Sequence, residues 1–401
     1  MHFSEKSVFK TSLLCGSFIV ALIGYMPDII NNEGLYKTFR IVNYVLFGSL
    51  FFLTFNIKQI GYRRLLFVYS VVLYIFLIET LLFLDLGLKI NFDDILQLSI
   101  PFIAILIGYN INISAKRYSN CLIIYCIAAL MLSVYSVIYF IGSFTILDQY
   151  MVEHKNELGA ILSNSGAIIM CMIFLKDISK YRKIRLILYG AIICSCLLVL
   201  RARAAFVALL FCFLVFMWLF LRNKKSKYLI IGISIITVVL LYLYGALTIP
   251  SFLSDFFLGT NDLSDLDKIS TGRIDRNIAA LKFIFDYPIF GQLTTSYYLE
   301  WVHNYVLLKV SQYGLLGSFP LLCLYFYLIW TIITKISKIR EIRTEHFGYI
   351  VMIIPIIISL FEPSFPYGPG SVQVIAFFMF GYSMKNSLYK TSISIDNKIL
   401  N

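Results

Sequence analysis

Twelve apolar runs dominate the chain, each long enough, or nearly so, to cross a bilayer as a helix. They lie at roughly 11–27, 39–57, 65–84, 95–111, 121–141, 159–175, 186–200, 204–221, 228–247, 312–334, 347–361 and 371–386. Backbone exposed to lipid must satisfy its own hydrogen bonds, so such runs fold as helices packed side by side. Of the 401 residues, 60% are hydrophobic and only 14% charged, an excess that one soluble core cannot bury. The expected fold is therefore all-α: a single integral membrane domain over residues 1–401, a polytopic bundle of about twelve transmembrane helices. Lys6 and Lys10 give the first run the look of a secretory signal. Gly24-Tyr25-Met26-Pro27-Asp28 offers no small-x-small cleavage site, however, so the run is expected to stay as a helix.

The net charge of +12 would suggest nucleic acid on a soluble protein, but here the cations follow the membrane. With the N-terminus inside and the runs alternating, the inner segments fall near residues 1–10, 58–64, 112–120, 176–185, 222–227, 335–346 and 387–401. These hold about two thirds of all Lys and Arg, while most acidic residues fall on the other side. Both termini are then cytoplasmic, and no nucleic-acid partner is called for. The one long outer segment, residues 248–302, is a large extracytoplasmic loop, and long ordered loops tend to carry function.

All eight cysteines (Cys15, Cys121, Cys126, Cys171, Cys194, Cys196, Cys212, Cys323) sit in apolar runs and read as packing residues. No Cys/His spacing matches a zinc site. The acidic string from Asp262 to Asp267 lacks the turn glycine and terminal glutamate of a calcium loop. No phosphate-binding glycine loop, dinucleotide fingerprint or hydrolase elbow is present.

Polar chemistry gathers instead on the outer side. Between Thr271 and Asp286, Ile274, Ile278, Leu281 and Phe285 form the stripe of an amphipathic helix, and Arg273, Arg276, Asn277 and Ala280 fall on another side. Ser270 or Thr271 can cap this helix, Asp275 sits in its first turn, and Pro288 with Gly291 ends it. Such a helix would lie in the membrane interface and offer guanidinium groups to something anionic; a plain interfacial anchor has the same pattern. Arg201-Ala202-Arg203 occupies a very tight outer turn, His154-Lys155-Asn156-Glu157-Leu158-Gly159 leads into the sixth run, and Glu362 opens the segment between the last two. Arginines at a membrane boundary snorkel to headgroups or pair with an anion. Two in one turn, added to Arg273 and Arg276, favour a phosphate pocket.

His303-Asn304, nine residues, then Gly314-Leu315-Leu316-Gly317 resembles the H-N-x9-G-x-x-G signature of the O-antigen polymerase and O-antigen ligase superfamily. Arg203-Ala204-Ala205-Phe206-Val207 is similar to its R-x3-L signature, with Val207 where leucine is usual. Thr271-Gly272-Arg273 resembles the G-R of its large loop, without the aromatic residue that often follows, and Asn156-Glu157-Leu158-Gly159 its N-x-x-G segment. The resemblance covers most of the chain from about residue 150 onward.

It implies a GT-C-type bundle and a metal-independent glycosyltransferase of the cytoplasmic membrane, with its active site outside. Donor and acceptor would be undecaprenyl-diphosphate-linked glycans, and O-antigen or capsular polysaccharide the product. No cofactor is implied, and a chain-length regulator and a flippase would be the protein partners. Arg203 and Arg273 are expected to stabilise the departing diphosphate, with Arg201 and Arg276 in support. His303 is expected to take the proton of the attacking hydroxyl, with Asn304 orienting the base or a sugar, and Glu157 or Glu362 as the acidic alternative. Asn156 joins Glu157 and Glu362 as a substrate-binding residue. Two other readings stay open: a ligase of the same superfamily, which moves a finished glycan to another acceptor, and a polysaccharide flippase or anion transporter.

Overall fold

The computed structural model describes residues 2–56, 92–140, 154–175, 178–222, 273–294, 302–367 and 370–399, with Ser70, Leu73, Tyr74 and Leu77 between the first two segments. These residues form helices: α1 His2–Ile23, α2 Pro27–Ile30, α3 Glu33–Thr54, α4 Phe92–Asn110, α5 Ala115–Tyr139, α6 Lys155–Ile173, α7 Lys180–Val199, α8 Arg203–Leu221, α9 Arg273–Asp286, α10 Tyr305–Ser337, α11 Phe347–Val351, α12 Ile353–Ile358 and α13 Gly370–Ile399. Ten of the twelve expected runs coincide with helix; 228–247 and most of 65–84 lie outside the described residues. Ala115–Tyr139, Lys155–Ile173, Arg203–Leu221 and Tyr305–Ser337 are long and apolar enough to cross a membrane, and Ser7–Ile23, Ser99–Asn110 and Thr344–Ile358 are shorter apolar stretches. The chain is a multi-pass membrane protein. The run at 347–361 differs from the single helix expected, because it breaks at Met352. Pro355 has no N–H to return to the carbonyl four residues earlier, so the helix restarts as α12.

Helix α6 is the axis of the bundle. Every residue from Leu158 to Ile169 is buried, and α5, α7, α8, α11, α12 and α13 all pack against it. Burial on all sides suits a helix apolar around most of its circumference, and some of its few polar groups bond inside the bundle. Asn164 Nδ2, for example, donates to Gln373 Oε1 on α13 at 3.3 Å.

Small residues set the closest helix contacts, as expected where lipid removes the hydrophobic drive between helices. A Cβ on Gly108 of α4 would stand 2.0 Å from the Phe378 carbonyl oxygen of α13, and one on Gly381 of α13 would stand 2.1 Å from that of Ile105. Beside this crossing the Tyr118 and Tyr382 rings stack, with centroids 3.9 Å apart. Five cysteines, Cys121, Cys126, Cys171, Cys196 and Cys212, are buried, while Cys323 is exposed on the outside of α10.

The two ends of the bundle differ in chemistry. At one end Arg117 donates to Ser7 Oγ at 2.5 Å, Lys385 to the Ile111 carbonyl at 2.9 Å, and Arg222 to the Ser337 carbonyl at 2.7 Å. All belong to, or adjoin, the segments grouped on the inner side by charge. Helices α8 and α10 carry the chain from this end to the opposite one, where Arg203 and Asn304 stand.

The crossing of α4 and α13 gives a direct test. Gly108→Ala should lower stability by roughly 1–3 kcal/mol, because its Cβ meets backbone that cannot yield. Gly48→Ala, whose Cβ would meet nothing within 4 Å, should be neutral or stabilising. Thermal unfolding in detergent compares the two, and equal melting temperatures would contradict the packing.

Candidate active site

The site is built from four segments at the end of the bundle opposite the Arg222–Ser337 contact. The first is the turn between α7 and α8. Leu200 ends α7, the Arg201 N–H bonds the Leu198 carbonyl at 3.1 Å, and the Ala202 N–H bonds that of Leu197 at 3.2 Å. This pair of bonds is the Schellman closure, whose left-handed position is usually glycine. Here it is Arg201, at φ 53°. A side chain held there costs roughly 1–3 kcal/mol. Among the described residues, Arg201 Nη1 is buried and makes no hydrogen bond. Arg203 follows as the first residue of α8.

The second segment is the start of α6. His154, the other non-glycine residue with positive φ among those described, at 56°, leads into Lys155, Asn156 and Glu157. Its Nδ1 lies 3.6 Å from Glu157 Oε1. Gly159 explains the glycine of the N-x-x-G string, since a Cβ there would be 2.5 Å from that of Ala202. Only glycine lets the start of α6 press against the Arg201–Arg203 turn.

Helix α9 is the third segment. Its stripe of Ile274, Ile278, Leu281 and Phe285 is exposed, and the opposite face, with Ala280 and Phe283 buried, docks on Val302, Leu307 and Leu308. The arginines therefore turn toward the bundle and the apolar residues away from it. Beyond the helix, the Leu315 N–H bonds the Pro288 carbonyl at 2.8 Å, and the Leu316 N–H that of Ile289 at 3.1 Å. These bonds exist because Gly314 breaks α10 at φ 67°; a Cβ there would stand 2.1 Å from the Ile289 oxygen. The first glycine of G-x-x-G thus seats the tail of α9, and so fixes where Arg273 and Arg276 stand.

Glu362, in the fourth segment, is buried. Its Oε1 accepts from Arg273 Nη2 at 3.0 Å and from Asn156 Nδ2 at 3.0 Å. Arg273 Nη1 also donates to the Phe361 carbonyl at 2.9 Å. Burial pushes the Glu362 carboxyl above its ordinary range, and Arg273 partly offsets this. Lys155 lies within electrostatic reach of Arg203, Arg273, Glu362 and Arg201.

His303 lies opposite Arg276, with Nε2 and Arg276 Nη1 3.2 Å apart. Burial, followed by the charges of Arg273 and Arg276, lowers its pKa to about 4, so the ring is neutral at pH 7. Asn304 is committed within the protein: Oδ1 caps α10 at the Leu307 N–H, 3.1 Å away, and Nδ2 donates to the Leu360 carbonyl at 3.2 Å. These bonds hold the residue next to His303 against the 359–362 segment, a placement compatible with orienting the base. The other sequence-nominated residues, Arg201, Arg203, Arg273, Arg276, Asn156, Glu157, Glu362 and His303, meet at this one end. Lys155 was missed as a site residue, although its place beside Asn156 in a cation-poor outer segment was the available signal. Ser270, Thr271 and Gly272 lie outside the described residues.

These features define a multi-pass membrane protein with a cationic site at one end of its bundle. Residues 188–322, about a third of the chain, match the family model described as O-antigen ligase, which is consistent with the O-antigen polymerase and ligase superfamily. The matched stretch contains Arg201, Arg203, Arg273, Arg276, His303 and Asn304, while Asn156, Glu157 and Glu362 lie outside it. No curated protein matches the chain.

The Arg273–Glu362 pair is suited to a double-mutant cycle. Arg273→Ala strands a buried carboxylate and should lower stability by roughly 2–3 kcal/mol, whereas adding Glu362→Gln should recover most of that loss. Additive losses in thermal unfolding would show that the two side chains are not coupled.

Proposed function

We infer that the chain polymerises undecaprenyl-diphosphate-linked repeat units of O-antigen or capsular polysaccharide at the outer face of the cytoplasmic membrane. The observation that carries this reading is a cationic cluster in which Arg201, Arg203 and Arg273 act on Lys155 while Arg273 and Arg276 act on the His303 imidazole, on a chain whose residues 188–322 match the O-antigen ligase family model. In the reaction a hydroxyl of the acceptor sugar attacks the donor's anomeric carbon. The bond from that carbon to the diphosphate breaks, its electron pair leaves with the phosphate oxygen, and the hydroxyl proton passes to a base.

The developing charge lies on the diphosphate, so fixed guanidinium groups stabilise the transition state more than the ground state. Arg201 and Arg203 lie at a turn fixed by backbone bonds and by the Gly159 contact, which suits preorganised donors. Arg273 is engaged with Glu362 and Phe361, and its further part is to fix α9 at the site. His303 is neutral at pH 7 and so has a lone pair for the proton, with Glu362 as the acidic alternative. The exposed stripe of α9 suits a helix lying in the interface, where a lipid-linked donor presents its diphosphate. The ligase reading shares this donor chemistry, and the family match does not separate the two; they differ in the acceptor. The family match lends no support to a flippase or an anion transporter.

Purified protein given a lipid-linked repeat unit, with EDTA and no nucleotide, should build a ladder of products. Arg203→Lys should lose most of it, because a point charge cannot replace a planar fork. His303→Gln should lose roughly a hundred-fold or more in rate. Since the lowered pKa keeps His303 unprotonated above about 4, kcat/KM should hold through pH 6.5 and fall only on approach to that value. A single transfer to a lipid A core without a ladder would select the ligase, and a divalent-metal requirement would overturn the mechanism.

A further inference from the structure

The contact between Arg276 and His303 constrains the ring. A guanidinium has only donors and keeps its charge, so the nitrogen facing it must accept. In this arrangement Nε2 gives its lone pair to Arg276 Nη1 at 3.2 Å, and the ring proton resides on Nδ1. Nδ1 is buried and, among the described residues, has no hydrogen-bond partner. Neither nitrogen is then available as a base: one lone pair is occupied, and the other position already carries hydrogen.

The two arginines of α9 are held very differently. Arg273 makes two bonds, one to a backbone carbonyl and one to the buried carboxylate of Glu362. Arg276 is an exposed side chain whose described partner is a neutral imidazole. Charge-assisted bonds to phosphate are roughly twice as strong as neutral ones and are often bidentate with arginine. Of the two, Arg276 is the guanidinium that an arriving diphosphate can draw away at least loss.

We propose that Arg276 is a positioning residue that caps Nε2 of His303 in the empty site, and that diphosphate draws it off, freeing that nitrogen for the acceptor proton. This rests on the transferase reading above, and it ties the appearance of the base to the presence of a bound donor. The proton balance is complete. The acceptor O–H bond breaks, Nε2 gains the proton, Nδ1 keeps its own, and the resulting imidazolium faces the anionic diphosphate that has taken over Arg276. Among the described residues, the charged groups acting on the ring are Arg273 and Arg276 of α9, with Glu362 behind Arg273. The move lessens the cationic surroundings that hold the ring's basicity down.

Diethyl pyrocarbonate acylates unprotonated, uncapped imidazole nitrogen, and peptide mass spectrometry reads His303 separately from the other histidines. In purified full-length protein at pH 7, His303 should react slowly, and at least several-fold faster with inorganic diphosphate present. Arg276→Gln should react fast with or without diphosphate. Arg276→Lys, which keeps the charge but loses the fork, provides a second variant should the first fold poorly, and should also respond less to diphosphate than the native protein. Equal rates in native protein and both variants would overturn the cap. A diphosphate effect that persists in full in the variants would overturn its release through Arg276. In turnover, the kcat profile of the native enzyme should break at a higher pH than its kcat/KM profile, because the first reports the loaded site. Reactivity that follows this pattern in a protein that builds no glycan would leave the cap standing and remove the transferase reading.

Discussion

One buried carboxylate holds the polar end of this bundle together. Glu362 Oε1 accepts from Asn156 at the start of α6 and from Arg273 at the start of α9, joining three segments that are far apart in the sequence. A charge taken out of water is tolerated only when paired and hydrogen-bonded. The same pairing fixes position, since neither partner can leave without exposing the others to an unsatisfied group. Beside this anchor, Gly159 lets α6 press against the Ala202 turn, and Gly314 lets the tail of α9 seat in a break of α10. Each glycine is required by close approach, and each brings cations toward the same place.

The cations consequently divide by how they are held. Arg273 is tied down and orients a helix. Arg201 is held in a left-handed turn with part of its guanidinium unpaired among the described residues, and Arg203 follows at the first position of α8. Arg276 rests on a neutral ring. A site that stabilises a leaving diphosphate needs fixed donors where charge develops, and it gains from one donor that responds to the ligand. In the proposed reading Arg201 and Arg203 are donors of the first kind and Arg276 of the second.

Much of this was legible before any coordinates. The length of the apolar runs specified helices, and the uneven placement of Lys and Arg sorted their ends into two groups, which the contacts of Arg117, Lys385 and Arg222 keep together. Polar residues at the other ends had to share one face of the bundle, so the candidate residues could be nominated without knowing their distances. The period of α9 separated an apolar stripe from an arginine side, but not which of them faces protein, because that is decided by Val302, Leu307 and Leu308 on another helix. Asn304 preceding a helix carried a capping signal that favours its structural part. Pairings such as Arg276 with His303, or Arg273 with Glu362, join residues distant in sequence and leave no local pattern. The left-handed turn at Arg201 was hidden for a related reason: glycine, its usual mark, is absent.

In the proposed reaction the cationic end of the bundle receives the diphosphate of a lipid carrier. Determining the structure of the protein in nanodiscs loaded with undecaprenyl diphosphate tests it most directly. The two phosphates should lie within hydrogen-bond distance of the Arg203 and Arg276 guanidinium groups, with the Arg276–His303 contact opened and the Arg273–Glu362 pair intact. A headgroup bound at the opposite end, near Arg117 and Lys385, or one that leaves Arg276 on His303, would contradict it.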